Sequence, residues 1–216
     1  MNILIVLFFL FNVFATALLG SHFIKKGAEN HIFKTFGIAL LINAVAFAVW
    51  SFGVVRPESL LTCVTLGTVA FLISLVFLFY TSVQKIHASI NRKLLIILSI
   101  VVVIGLFFIG HADPSYAYIS PEGFLFFNLG PLMQMLYVFV LALTILPAID
   151  LVASKFKSTY STIFRYGFIA QVCSGIMLMT TKDSQVLYAT GWVIILVYFL
   201  LLITFLFNKK AWSDLN

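Results

Sequence analysis

Residues 184–207 read SQVLYATGWVIILVYFLLLITFLF, a run that contains no charged side chain. An α-helix needs about 20 apolar residues to cross the roughly 30 Å hydrocarbon core of a bilayer. This stretch is long enough to do so. Its apolar residues follow one another without the period-two alternation that is typical of barrel strands. The stretch therefore predicts a transmembrane α-helix.

Six further apolar runs of similar length precede it. The seven predicted spans cover residues 2–23, 33–55, 59–83, 93–111, 124–149, 162–181 and 186–208. Short polar turns separate several of them, such as Arg56-Pro57-Glu58 and Lys182-Asp183. The fold class that we expect is an all-α integral membrane protein. Residues 1–216 would form a single seven-transmembrane helix bundle.

The composition supports a membrane location. The chain is 62% hydrophobic and 9% charged, whereas soluble domains are about 45–50% apolar and about 25% charged. A soluble core of this size could not bury so much apolar surface. The net charge of +6 does not indicate nucleic-acid binding, because the basic residues lie next to apolar spans, where they act as topology signals.

The basic residues are distributed unevenly between the two sides of the predicted spans. Of the 13 Lys and Arg residues, only Arg56 and Lys182 fall on the side of the N-terminus. The longest polar stretch, GHADPSYAYISPEGF at 110–124, contains none. Cytoplasmic loops are enriched in Lys and Arg. We therefore expect the N-terminus and this loop outside the cell and the C-terminus in the cytoplasm.

Several kinds of chemistry are disfavoured by what the spans lack. No predicted span carries an acidic or basic residue away from its ends, and such residues usually mark ion paths or proton relays. The last span has no Lys to form a Schiff base with retinal, and the four histidines lie at span ends or in loops, which argues against a buried haem. Hydrolase motifs and phosphate-binding loops are absent from the sequence. We predict no catalytic residue and no cofactor.

Neutral polar residues near the outer ends of the spans suggest a ligand pocket. The candidates from spans three and five are Thr62, Thr65, Asn128 and Gln134, and Tyr116 and Tyr118 of the long loop could cover them. Hydrogen bonding between helices would explain such residues equally well. An aromatic belt at the outer interface would explain the two tyrosines, together with Trp50 and Phe124.

The long outer loop also holds the residues that come nearest to a metal site. They are His111, Asp113 and Glu122. Two prolines separate the carboxylates, and a further ligand of the usual kind does not accompany them. We therefore predict that no metal is bound there.

Three features of the sequence suggest a family. The second span opens with NHIFKTF at 30–36 and ends with Trp50, the fifth starts with Gly130-Pro131-Leu132, and the sixth starts with a basic segment ending at Arg165. In these features the chain resembles the seven-transmembrane N-terminal sensor modules of bacterial membrane histidine kinases. The resemblance implies a bundle in the bacterial inner membrane that detects an extracytoplasmic or membrane-dissolved cue. The kinase domain of that family is missing from this sequence.

The function that we expect is therefore that of a non-enzymatic sensory or accessory membrane protein. It would act through a separate partner at the cytoplasmic face, and the basic residues there would touch that partner or anionic lipid headgroups. Those residues are Lys85, Arg92, Lys155 and Lys157. A facilitator of small uncharged solutes and a lipid-modifying membrane enzyme are the two alternatives.

Overall fold

The computed structural model describes residues 3–27, 30–83, 91–110, 117–122, 124–127, 129–208 and 210–213. Long α-helices make up most of this part of the chain. They are α1 (Ile3–Lys26), α2 (His31–Val55), α3 (Leu60–Val83), α4 (Arg92–Gly110), α5 (Pro131–Ala153), α6 (Ser158–Thr180) and α7 (Ser184–Leu202). A 3-10 turn (Pro57–Ser59) precedes α3, and a π-helical turn (Ile203–Phe207) and a short helix, α8 (Lys210–Ser213), follow α7.

Each predicted span coincides with one of these helices over most of its length, but the fifth was predicted to begin too early. Residues 125–127 of that span form a strand, β2 (Leu125–Phe127), which pairs antiparallel with β1 (Ala117–Ile119). Helix α5 begins only at Pro131, with Gly130 in extended conformation as its N-cap. Proline is favoured at the first position of a helix and cannot continue one from upstream. The prediction therefore assigned residues 125–127 to a helix, whereas they form a strand. The described part of the chain is largely, but not purely, α-helical.

Five of the helical segments are long and apolar enough to cross a membrane. They are Ile5–Lys26, His31–Val55, Pro57–Val83, Gln134–Ala153 and Ser184–Phe207. In α4 the apolar segment that the structure describes is shorter, at Ile96–Gly105. Large apolar side chains are also exposed around the bundle, among them Phe14, Phe108 and Phe199. The chain thus has the character of a largely α-helical, multi-pass membrane protein.

The helix boundaries follow from local polar chemistry. The Asn30 side chain accepts a hydrogen bond from the Ile32 N–H at 3.0 Å and caps α2. At the start of α7, the Asp183 carboxylate accepts the N–H groups of Gln185 and Val186. Side-chain caps of this kind satisfy N–H groups that have no partner within the helix.

Six helices form a ring in the order α1, α2, α3, α5, α6 and α7, in which each packs on the next and α7 packs on α1. Helix α4 lies outside this order, beside α3 and α5. Helices α1 and α2 cross closely at two glycines. A Cβ atom on Gly37 would lie 2.7 Å from the Gly20 carbonyl oxygen, and one on Gly20 would lie 2.8 Å from the Gly37 carbonyl oxygen. Glycine at both positions therefore allows the two backbones to touch, as small residues commonly do between membrane helices.

The β-hairpin and α8 mark opposite ends of this ring. We call them the hairpin end and the C-terminal end. The first half of α1, the last third of α2 and the first half of α7 lie toward the hairpin end, because successive helices alternate in direction. This geometry places the space between α1, α2, α6 and α7 directly beneath the hairpin.

Candidate functional site

A cavity of about 520 Å³ extends from the hairpin past the middle of the bundle, since both Phe127 of the hairpin and Leu78 near the end of α3 line it. Its walls come from α1, α2, α3, α5, α6 and α7, and they are almost entirely apolar. The volume lies within the range of about 300–1,000 Å³ that is usual for small-molecule sites. Packed protein interiors contain few voids larger than a water molecule, so a space of this size is a candidate binding site.

Three amide side chains interrupt the apolar wall. Asn12 of α1 is fully buried, and its Nδ2 donates to the Phe8 carbonyl at 2.7 Å. Its Oδ1 is buried without a hydrogen-bond partner, as is the Oδ1 of Asn43 on α2. The third amide, Gln171 of α6, donates from Nε2 to the Ile194 carbonyl of α7 at 2.9 Å. Two of the residues that line the cavity, Asn12 and Asn43, therefore have a side-chain carbonyl oxygen without a hydrogen-bond partner. Gln171 instead links α6 to α7 through its hydrogen bond.

The β-hairpin and Trp50 close the cavity at the hairpin end. Phe124, Leu125 and Phe127 of the hairpin line it, and the Phe127 ring meets the Trp50 indole edge-on, with centroids 5.8 Å apart. Trp50 is only 6% exposed and lies between α2 and α3, where Gly67 leaves room for its indole ring. The expectation that Trp50 belongs to an aromatic belt is therefore wrong, because its ring is part of the cavity wall.

The cavity reaches the surface of the bundle at the seam between α1 and α7. Among its lining residues only Leu7, Tyr188 and Trp192 are exposed, and all three lie on the outer-facing sides of these two helices. Gly191 lies between the two aromatic residues, and Phe8 of α1 is its nearest neighbour across the seam. The opening faces sideways, toward the surroundings of the helices and not along the bundle axis.

A cluster of eight buried aromatic rings lies below the cavity. We call it the aromatic cluster. It consists of Phe23, Phe33, Phe36, Phe156, Phe164, Phe168, Phe205 and Trp212. Phe36 and Phe168 belong both to this cluster and to the lining of the cavity, and their rings are 5.3 Å apart. The cavity and the aromatic cluster therefore share a boundary, which these two rings form.

The cluster holds the C-terminal segment against the bundle. Trp212 of α8 is 8% exposed and packs edge-on against Phe23, with centroids 5.2 Å apart. Its Nε1 donates to the Phe205 carbonyl within the π-helical turn at 2.6 Å. A second hydrogen bond, from Asn208 Nδ2 to the Tyr160 hydroxyl at 3.1 Å, joins the same segment to α6.

Four of the six ligand-binding residues suggested by the sequence are described, and none of these four lines the cavity. Thr62 is exposed and Thr65 is half-buried on α3, and neither lines the cavity. Gln134 donates to the Leu129 carbonyl at 3.1 Å and so stabilises the start of α5. Tyr118 is 42% exposed and stacks on Phe126, its partner across the hairpin. The remaining two candidates, Asn128 and Tyr116, fall outside the described residues.

The charged candidates do not form a site within the described part of the chain. Glu122 is exposed at the turn of the hairpin, where hydrogen bonds from the Ser120 hydroxyl and from its own backbone lower the pKa of its carboxyl group. No group of three metal-binding side chains occurs among the described residues, which do not include His111 or Asp113. Of the proposed partner-binding residues, Lys157 is exposed and Lys155 is half-buried, while Lys85 and the Arg92 side chain are not described.

Sequence reasoning missed Asn12, which is the most deeply buried polar residue of the cavity. The signal that could have found it is the amide in FFLFNVFATAL at 8–18, where Thr16 is the one other polar residue. Buried polar groups in membrane helices are usually paired or functional.

Comparison with protein-family models, with curated proteins and with solved structures returned no match.

Proposed function

We propose that this chain is a non-enzymatic sensory or accessory membrane protein that binds an apolar, membrane-dissolved small molecule in the cavity. The observation that carries the proposal is the shared position of Phe36 and Phe168, which line the cavity and belong to the aromatic cluster that holds Trp212. A ligand that moves either ring would change the packing under α8. A partner that contacts α8 or the neighbouring basic residues would detect this change.

The proposal includes the orientation in the membrane. Seven spans, an extracytoplasmic N-terminus and a cytoplasmic C-terminus place the hairpin outside and α8 at the cytoplasmic face, in line with the distribution of Lys and Arg. A bacterial inner membrane and a sensor module like those of histidine kinases fit this arrangement. The separate partner would then carry the output.

The wall of the cavity favours this function over transport of small polar solutes. A route for such solutes needs hydrogen-bonding groups along its length. Here the amide side chains among the described lining residues are Asn12, Asn43 and Gln171, and aliphatic and aromatic side chains supply nearly all of the remaining wall. A molecule that is mainly apolar matches the wall better.

Filling the cavity tests the proposal. A Cβ atom on Gly175, which lines the cavity, would have no neighbour within 4 Å, so Gly175→Leu can occupy the space without disturbing the backbone. The probe is bromoundecane, which quenches tryptophan on contact, in phosphatidylcholine nanodiscs. The background protein carries Trp192→Phe, because Trp192 is exposed at the seam and would report bulk lipid. It also carries Trp212→Phe, so that Trp50 is the one tryptophan left in the sequence.

We expect saturable quenching of Trp50 fluorescence in this background and at least a tenfold weaker affinity after Gly175→Leu. Gly105→Leu is the matched control, because Gly105 on α4 also has open space around it and does not line the cavity. Equal quenching in both variants, or none in the background protein, would contradict the proposal.

A further inference from the structure

The chemistry of the cavity wall restricts the ligand further than apolarity does. Asn12 is the decisive residue, because it is fully buried and one of its two polar atoms has no partner. The Phe8 carbonyl can only accept a hydrogen bond, so the amide nitrogen of Asn12 must be the atom that faces it at 2.7 Å. The atom left unpaired is therefore the oxygen, which is an acceptor.

A second acceptor of the same kind lies on the neighbouring helix. The Asn43 Oδ1 is also buried and unpaired, and Asn43 lines the same cavity from α2. Helices α1 and α2 are antiparallel and touch at Gly20 and Gly37. From that crossing Asn12 and Asn43 both lie toward the hairpin end, so the two amides line the cavity at a similar depth on neighbouring helices.

An unpaired buried acceptor destabilises a protein, and a molecule that supplies a donor removes that penalty. A ligand that offered only acceptors, such as an ester or a ketone, would leave both oxygens unpaired. A charged ammonium group would lose its hydration without a carboxylate to compensate, because none of the described residues that line the cavity is acidic. The matching head group is neutral and carries an O–H or N–H.

The rest of the ligand must fit the apolar part of the wall and the seam. Leu7, Tyr188 and Trp192 form an opening between α1 and α7 that faces sideways. An alkyl or ring body lying along this opening could remain partly among lipid chains while the head group reached Asn12. Access from the bilayer also explains why the opening lacks charged side chains.

We infer that the cavity binds a neutral amphiphile whose hydroxyl or N–H head group donates to the Asn12 and Asn43 side-chain oxygens. This inference rests on the proposed function, since it identifies the class of ligand for the same cavity. It names a chemical class that includes long-chain alcohols, monoacylglycerols and primary amides.

The test compares two probes that differ only in the ability to donate. Bromoundecanol carries a hydroxyl, and bromodecyl methyl ether has the same number of non-hydrogen atoms but no donor. Both quench tryptophan, so binding is measured from Trp50 fluorescence in the protein that carries Trp192→Phe and Trp212→Phe, in phosphatidylcholine nanodiscs. Quenching is compared at equal concentrations of each probe in the lipid.

We expect the alcohol to bind about two- to tenfold more tightly than the ether, the ratio that one net hydrogen bond produces. Asn12→Leu should bring this ratio to one, and Asn43→Leu should reduce it. Gln134→Leu is the matched control, because Gln134 bonds to the Leu129 carbonyl outside the cavity and its loss should leave the ratio unchanged.

The possible failures are distinguishable. Equal binding of alcohol and ether to the background protein would overturn the inference about the head group and leave the cavity as an apolar site. A ratio that persisted in both Asn12→Leu and Asn43→Leu would also overturn it. Absence of quenching by either probe would overturn the proposed function itself.

Discussion

Asn12 is a buried amide in a helix whose composition suggests only a membrane span. Helix α1 is apolar along most of its length, and its sequence was sufficient to predict a span. The direction in which Asn12 points was not predictable, because a continuous apolar run has no periodicity from which a buried face can be recognised. Only the packing of α1 against α2 and α7 determines that Asn12 faces the cavity.

The six ligand-binding candidates chosen from the sequence illustrate the same limit. They were selected by depth along the spans, which sequence can estimate, and not by direction, which it cannot. Thr62 and Gln134 have the expected polar character, yet Thr62 is exposed and Gln134 bonds to its own helix start. An exposed position therefore accounts for Thr62, and a local hydrogen bond accounts for Gln134.

The carboxyl group of Glu122 provides a prediction at the scale of a single residue. A hydrogen bond from the Ser120 hydroxyl is the main cause that lowers its pKa. A lowered pKa means that the ionised carboxylate stabilises the hairpin turn, and that this contribution is lost as the pH falls through the folded-state pKa. Ser120→Ala should therefore raise the pKa of Glu122 toward that of a free glutamate.

Carbon-13 NMR of the labelled carboxyl group, followed during acid titration, would measure the change. Ser154→Ala is the control, because the Ser154 hydroxyl donates to the Leu151 carbonyl at 2.7 Å and does not contact the hairpin. If the titration midpoint of Glu122 were the same in both variants, the hydrogen bond from Ser120 would not be the cause.

At the scale of the elements, length and hydrophobicity were enough to locate the helices but not to recognise the hairpin. Residues 124–127 are as apolar as the helix that follows, so hydropathy extended the fifth span over them. The arrangement Gly130-Pro131 was the available signal, since proline at the first helical position marks a beginning. The hairpin matters for the site because it covers the cavity.

The crossing of α1 and α2 leads to a prediction about helix packing. Gly37→Ala would place a Cβ within 2.7 Å of the Gly20 carbonyl oxygen and 3.0 Å of the Ile24 nitrogen, which are both backbone atoms that cannot move alone. The helices would have to separate, at a cost of about 1–3 kcal/mol as in other overpacked sites.

Thermal unfolding in detergent, followed by the monodisperse fraction in size-exclusion chromatography, would detect this loss as a lower Tm. Gly105→Ala is the matched control, because a Cβ there meets nothing within 4 Å and alanine favours a helix over glycine by about 1 kcal/mol. A Tm that fell equally in both variants would show that the close crossing does not determine stability.

At the scale of the whole molecule, the cavity and the aromatic cluster form one connected structure from the hairpin to α8. Trp50 and Phe127 close it at one end, and Trp212 closes it at the other. The sequence predicted a helical membrane bundle but no connection between its ends. Such a connection depends on contacts between residues far apart in the chain, such as Phe23 with Phe205 and Trp212.

In the proposed function, the orientation of this connected structure in the membrane determines which end would meet the ligand and which would meet a partner. Crowding of Lys and Arg at the C-terminal end leads us to expect that end in the cytoplasm. Two exposed positions at opposite ends allow a direct test. Glu122 lies at the hairpin turn, and Ser154 follows α5 at the other end.

In a protein with Cys63→Ala and Cys173→Ala, which removes both native cysteines, we expect a membrane-impermeant thiol reagent to label Glu122→Cys in intact cells. Ser154→Cys should be labelled only after the cells are permeabilised, because a charged reagent cannot cross the bilayer. Labelling of Ser154→Cys alone in intact cells would reverse the orientation. The hairpin would then close the cavity from the cytoplasm, and any partner that detects the packing of Trp212 would have to lie outside the cell.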